Sequence, residues 1–243
     1  MDTIKINSKY VMMVAHRGVS GLERENTNPA FVAAGNRSYY GIETDIHVTA
    51  DERFVVIHDE TTARVSLERV DINIEECTYA ELESIVLPDL DGSTVRSDIR
   101  IPLLEEYVNI CKKYDKKCVL ELKNPFERKH IEKLVEEIRG LDFLDGMIFI
   151  SFSWENCIML RELLPDAKIQ WLTSKEDFGD SDIDALVKNH LDLDIMYQLL
   201  SKELVEKLHK AGIEVNCWTC DDKESGEELV EMGVDYITSN ILE

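Results

Sequence analysis

An α/β fold closed into a single (β/α)8 TIM barrel is what this 243-residue chain predicts, on three observations. Apolar runs of strand length alternate with helix-period segments in roughly eight steps over about 250 residues, the usual size of one such barrel. No Gly-rich dinucleotide fingerprint follows the first apolar run, which disfavours an open doubly wound sheet. The chemistry-bearing residues stand at the ends of apolar runs, and a parallel barrel gathers its site at the C-terminal ends of its strands. With 44% hydrophobic residues and no composition shift that marks a linker, residues 1–243 are expected to form one barrel domain.

Residues 11–15 are a continuous apolar run, as a strand buried on both faces requires, and the run stops at His16-Arg17-Gly18. Residues 26–37 read as a helix, capped by Asn26 or Thr27, with Pro29 in the first turn and Phe31, Val32 and Ala34 as apolar contacts. Residues 40–48 return to strand character, and after the hairpin-like stretch 49–52 a second β-rich run, 54–57, ends at His58. From 60 to 101 the pattern breaks into short polar pieces with one helix start at 78–82, so a small insertion after the second strand region, over the active-site face, is expected there. Helices at 103–114, 128–139, 154–163, 183–189, 202–211 and 223–232 then alternate with strands at 118–122, 147–151, 167–172, 193–197, 213–219 and 234–238.

A formal net charge of -22 repels nucleic acid and anionic membrane surfaces, so no nucleic-acid partner is expected and any phosphate must be met by local cations. The first ten residues lack a basic segment followed by a long apolar one, and no run approaches the roughly 20 apolar residues that span a bilayer. A cytoplasmic protein without a stable membrane anchor is the expectation. Cysteines 77, 111, 118, 157, 217 and 220 are scattered along predicted helices and strands, which reads as reduced, mostly buried thiols. Cys217-Trp218-Thr219-Cys220 resembles a redox pair, but it falls in a predicted strand and not at a helix N-terminus, so two packed thiols are expected, with Trp218 as a wall of the pocket. Histidines 47, 130, 190 and 209 stand without comparable company and read as surface or packing residues.

Residues 11–59 hold two histidines, four carboxylates and an arginine in HRG, ENT, ETD and HD, a density that folding alone does not explain and that phosphodiester hydrolysis fits best. Glu43 and Asp45 are two apart on a predicted strand, so both face one side. Inside a barrel mouth two such carboxylates are costly without a cation between them, and hard oxygen donors suit Mg²⁺ or Ca²⁺; a solvent-facing acidic pair is the alternative. Glu121 and Lys123 repeat the spacing in VLELK, where Glu121 can complete a three-carboxylate metal site and Lys123 can reach a phosphate oxygen, unless they form a surface ion pair. His16 and His58 are the candidates for proton transfer, since imidazole titrates near neutrality. Arg17 offers a planar, permanently charged fork to a phosphoryl group, or else a salt bridge to Glu25 or Asp45.

Taken together, VAHRG, ENTNPAF, GIETDIHVTAD, VVIHDET, LELK, ISFS, VNCWTCDD and GVDYIT resemble the glycerophosphodiester phosphodiesterase family over about 11–240, in the family's order. The resemblance implies a divalent-metal-dependent (β/α)8 barrel in which Glu43, Asp45 and Glu121 bind the metal, and His16 and His58 are the general acid and base. It also implies Arg17 and Lys123 as phosphate contacts, Glu25 and Asn26 in support, and Phe152 and Trp218 on the hydrophobic side of the substrate pocket. Three stretches depart from the family's pattern: Arg24 stands where proline is common, HDETTARVS lacks the arginine-threonine-threonine ending, and ITSN replaces threonine-aspartate.

The function expected is metal-dependent hydrolysis of a small-molecule glycerophosphodiester to glycerol 3-phosphate and an alcohol, with water or the neighbouring glycerol hydroxyl as nucleophile. A phospholipase D-like lyase on lysolipids, or a catalytically silent phosphodiester-binding barrel, are the alternatives. The alcohol, the choice of metal and the oligomeric state are not written in the sequence.

Overall fold

Apolar runs too short to be helices lie side by side as strands in the computed structural model, which describes residues 2–243. In chain order these are β1 (Met12–Ala15), β2 (Gly41–Val48), β3 (Phe54–Val56), β4 (Lys117–Leu122), β5 (Met147–Ser151), β6 (Lys168–Thr173), β7 (Asp192–Met196), β8 (Val215–Trp218) and β9 (Tyr236–Ser239). All but β3 run parallel, and β1 pairs with β9 on one side and with β2 on the other, so the eight parallel strands close into a barrel without a free edge. β3 is a short antiparallel addition to the end of β2, pairing Val56 with Ile46.

The helices are α1 (Asn28–Gly35), α2 (Tyr79–Glu83), α3 (Leu104–Tyr114), α4 (Arg128–Gly140), α5 (Trp154–Leu163), α6 (Asp180–Asn189), α7 (Lys202–Lys210) and α8 (Lys223–Met232). Each crossover helix lays an apolar stripe on the sheet; in α4 the buried residues are Ile131, Leu134, Val135 and Ile138, the spacing of one helical face. The outer core between sheet and helices takes Ile42, Ile46, Leu120 and Leu122, while Val14, Val119, Ile148, Ile150, Leu172 and Tyr236 fill the barrel interior. Because side chains alternate along a strand, Glu43 and Asp45 stand on the face of β2 opposite Ile42 and Ile46, toward the interior. Residues 60–101 carry α2 as their one helix and pack around a separate apolar cluster that includes Val55, Ile57, Ile74, Leu82 and Ile99.

Two local differences from the sequence reading have plain causes. The helix expected over 26–37 is shorter, because Asn26 takes a left-handed φ of 54° and cannot be helical; Thr27 is the N-cap and Pro29 sits in the first turn. The helix expected from 183 begins at Asp180, where the Asp182 carboxylate accepts from the Gly179 N–H at 2.9 Å. All six cysteines are free and buried, as expected. No helix among the described residues is long and apolar enough to cross a membrane, and none follows β9, where Leu242 instead bridges to Ile4.

Candidate active site

The first strand delivers two of the expected residues by ending sharply. The His16 N–H still pairs with the Ser239 carbonyl, and then Arg17 (φ 53°) and Gly18 (φ 76°) turn the chain back. The turn aims the Arg17 N–H at Glu43 Oε2, 2.8 Å away, and brings Gly18 so close to α1 that a Cβ there would lie 2.6 Å from the Ala30 Cβ.

Parallel register supplies the rest of the centre. Asp45 of β2 stands opposite Glu121 of β4, and Glu43 lies two residues back on the same face. Glu43, Asp45 and Glu121 are 2%, 1% and 7% exposed, so the solvent-facing alternative does not hold. One oxygen from each carboxylate lies within 4.8 Å of the others. Burial, then the charges of Asp45 and Glu121, push the Glu43 carboxyl well above the usual range; burial and Asp45 push Glu121 up as well. Burial would raise Asp45 too, but Lys123 and Arg17 hold it below.

Both candidate phosphate cations are engaged with these carboxylates. Lys123 Nζ is 2.8 Å from Glu121 and 3.4 Å from Asp45, well inside the molecule and not on its surface. Arg17 reaches Asp45 at 3.5 Å and Glu25 at 2.9 Å. Asn26 donates to Asp45 Oδ2 (2.8 Å) and accepts from Thr44 Oγ1 (2.7 Å), a use of the residue that its left-handed backbone makes possible. Against burial, Arg64 and Arg17 bring the Glu25 carboxyl down to about 2. Two cations cannot balance the three clustered carboxylates when all are ionised, and Asp45 Oδ1 is buried without a hydrogen bond, with only the Lys123 ammonium near it at 3.4 Å. An all-oxygen set with an orphaned acceptor fits a hard divalent cation.

The two histidines flank this cluster unequally. His16 Nδ1 meets the neutral Asn240 Oδ1 at 2.8 Å, and its Nε2 lies 3.9 Å from Glu43. His58 Nδ1 meets the Asp59 carboxylate at 2.6 Å. Burial and the nearby Arg17 push the His16 imidazole down to about 4, and burial lowers His58 as well. A cavity of about 90 Å³ opens over the carboxylates and both rings, with Phe152, Leu172 and Trp218 on its apolar side. Phe152 is 43% exposed and meets Trp218 edge to face at 5.6 Å. Larger cavities of about 670 and 440 Å³ open at the N-terminal ends of the strands around Tyr40 and Lys117, so the site is marked by its chemistry and not by its size.

Every residue expected in the site is therefore in one place. Others went unread. Arg64 pairs with both Asp59 and Glu25, tying the partners of His58 and Arg17 together; it lies in the HDETTARVS stretch, which the sequence reading treated only as a departure. His47, expected at the surface or in packing, is 1% exposed and places Nε2 3.2 Å from the His58 carbonyl. Asp194 lines the same cavity from β7, fully buried, with Oδ1 unpartnered. Asn240 was missed because its partner, His16, is more than two hundred positions away, and Asp221 because it reaches His16 only through Asn240.

Residues 16–242 match the model of the glycerophosphoryl diester phosphodiesterase family. A glycerophosphodiester phosphodiesterase of Caldanaerobacter subterraneus is 29% identical, over 94% of this chain and 93% of its own. The crystal structure of a glycerophosphodiester phosphodiesterase from Parabacteroides distasonis superposes with a TM-score of 0.79 at 26% identity, covering 95% of this chain and 93% of that one. A phosphodiesterase of Oleispira antarctica, solved in complex with the product sn-glycerol-3-phosphate, shares the fold with a TM-score of 0.84 at 24% identity, over 98% and 96% of the two chains.

Proposed function

Because the chain belongs to the glycerophosphoryl diester phosphodiesterase family, we propose that it hydrolyses a glycerol-based phosphodiester to glycerol 3-phosphate and an alcohol. The observation that carries this reading is the buried cluster of Glu43, Asp45 and Glu121 at a cavity that both His16 and His58 line. These three carboxylates would hold the divalent ion, Mg²⁺ or Ca²⁺, which when bound supplies positive charge to the phosphoryl oxygens. Arg17 and Lys123, already inside the cavity, would bind the same phosphoryl group and offset the charge that grows on it. Phe152 and Trp218 would receive the apolar edge of the substrate.

The two imidazoles divide the proton work by the charge of their partners. His58 rests on a carboxylate, which favours a second ring proton, and would donate from Nε2 to the departing alkoxide. His16 rests on a neutral amide and would receive the proton of the nucleophile at Nε2. Glu25 and Asn26 would hold Arg17 and Asp45 in place. The same reading takes residues 1–243 as one catalytic unit with 60–101 inserted over the active-site face, supported by the reach of Arg64 to Asp59 and Glu25.

Product analysis with glycerophosphocholine, glycerophosphoethanolamine, glycerophosphoglycerol and a lysolipid, each with Mg²⁺, Ca²⁺ or chelator, tests this. Glycerol 3-phosphate released only with metal is the expected result, and a cyclic phosphate as end product would favour the lyase alternative. His16→Ala and His58→Ala are each expected to lower kcat by about 10²–10⁴-fold. Near wild-type turnover in either variant would remove that histidine from the reaction.

A further inference from the structure

The ITSN stretch, which departs from the family's pattern, leads to an arrangement behind His16 of which the functional reading uses only the neutral Asn240 amide. Asn240 presents Oδ1 to His16 Nδ1 at 2.8 Å and to the Ser20 hydroxyl at 2.5 Å. Its Nδ2 donates to Asp221 Oδ2 at 2.6 Å, while Asp221 Oδ1 accepts from the Asn240 backbone N–H (2.7 Å) and the Ser239 hydroxyl (2.9 Å).

An ionised carboxylate only accepts. If the Asn240 amide were reversed, its oxygen would face Asp221 Oδ2 with no hydrogen between two acceptors, so Asp221 decides which way the amide points. With Oδ1 turned to His16, and Oδ1 itself able only to accept, His16 Nδ1 must carry the hydrogen. In the neutral ring the lone pair is then on Nε2, the nitrogen on the Glu43 side, and no hydrogen bond to Nε2 is present among the described residues.

We propose that Asn240 and Asp221 are a positioning pair that fixes the His16 ring and its tautomer, so that Nε2 presents a lone pair to the nucleophile. The proposal rests on the functional reading above. In the step it serves, the O–H bond of the nucleophile breaks as N–H forms at Nε2 and O–P forms at phosphorus, the P–O bond to the alcohol breaks with the His58 proton going to the departing oxygen, and Nδ1–H stays in its bond to Asn240. Neither residue touches substrate in this role; both act through His16. The negative charge of Asp221 stands one amide away from the ring, whereas that of Asp59 meets His58 directly. This is the physical origin of the unequal pair.

Long-range ¹H–¹⁵N correlation on protein labelled at histidine nitrogens, with and without Mg²⁺ and without substrate, reads the tautomer, with His16 assigned by its loss in His16→Gln. The neutral His16 ring is expected as Nδ1–H. In Asp221→Asn the new amide would keep its oxygen on the Asn240 N–H and offer hydrogens to the Asn240 side chain. That reverses Asn240 and moves His16 to Nε2–H, with kcat lower by about 100-fold and KM little changed. The exchanged pair, Asp221→Asn with Asn240→Asp, restores an acceptor at Nδ1 and with it the Nδ1–H form and most of kcat. An Nε2–H ring in the unaltered protein overturns the proposal even if no variant folds. So does a tautomer unmoved in folded Asp221→Asn. Should His16 be Nδ1–H while no glycerophosphodiester is turned over, the positioning stands and the functional reading falls.

Discussion

At Glu43 stability and activity pull in opposite directions. Its carboxyl is buried beside Asp45 and Glu121, and the like charges raise the free energy of the folded protein when no cation is bound. Glu43→Gln keeps an oxygen for the Arg17 N–H and removes the carboxyl whose ionisation burial and its neighbours oppose. The metal-free variant is expected to gain about 1 kcal/mol, or roughly 2–4 °C in Tm. The rise in Tm on adding Mg²⁺ or Ca²⁺ should vanish and turnover fall by at least about 10²-fold; thermal melts with and without chelator check both. Glu243 is the opposite case, a buried carboxylate fully paired with Lys5, the Thr3 hydroxyl, and the Ser38 N–H and hydroxyl. Burial opposes ionisation there, yet Lys5 and the hydrogen bonds bring its pKa from 4.5 down to about 2. Since the folded value lies below the unfolded one, the stabilisation is complete above the unfolded value and is lost as pH falls toward the folded one. Glu243→Gln is expected to cost about 2 kcal/mol at neutral pH and little at pH about 2, so urea melts across that range should show a shallower acid slope in the variant.

At the scale of the element, the turn after β1 does more for the site than any helix. It carries His16 and Arg17, and it depends on a residue with a left-handed φ packed against α1. Gly18→Ala places a Cβ within 3 Å of both the Cβ and the backbone of Ala30, where no flexible side chain can yield. A loss of about 2–4 kcal/mol by denaturant melts is expected, together with a fall in kcat as Arg17 leaves Glu43. Wild-type stability in Gly18→Ala would mean that the turn relaxes without cost. The same scale explains why Asn26 was read as helical: it precedes a good N-terminal signal, Thr27 with Pro29, but its backbone belongs to the turn and its side chain to Asp45.

For the whole molecule, a net charge of -22 repels an anionic substrate before any local cation is felt. Raising ionic strength shortens the Debye length from about 30 Å at 0.01 M to about 8 Å at 0.15 M. Screening should therefore increase kcat/KM for a glycerophosphodiester by a few fold, whereas a protein that steers its substrate electrostatically would lose rate. A kcat/KM that falls with added salt would show that Arg17, Lys123 and the bound ion dominate the field at long range.

Local pattern alone determined the strand and helix order, the barrel class, the placing of His16 and His58 just past strand ends, and the shared face of Glu43 and Asp45 within β2, because a buried strand must be apolar and side chains alternate every two residues. Tertiary structure decided the partners. It is the closure of β1 against β9 that sets Asn240 behind His16, and the packing of 60–101 that lays Arg64 across Asp59 and Glu25. Hydrogen bonds between residues dozens to hundreds of positions apart leave no period in a single chain. The difference between the two histidines, one facing an amide and one a carboxylate, therefore exists only once the barrel is closed.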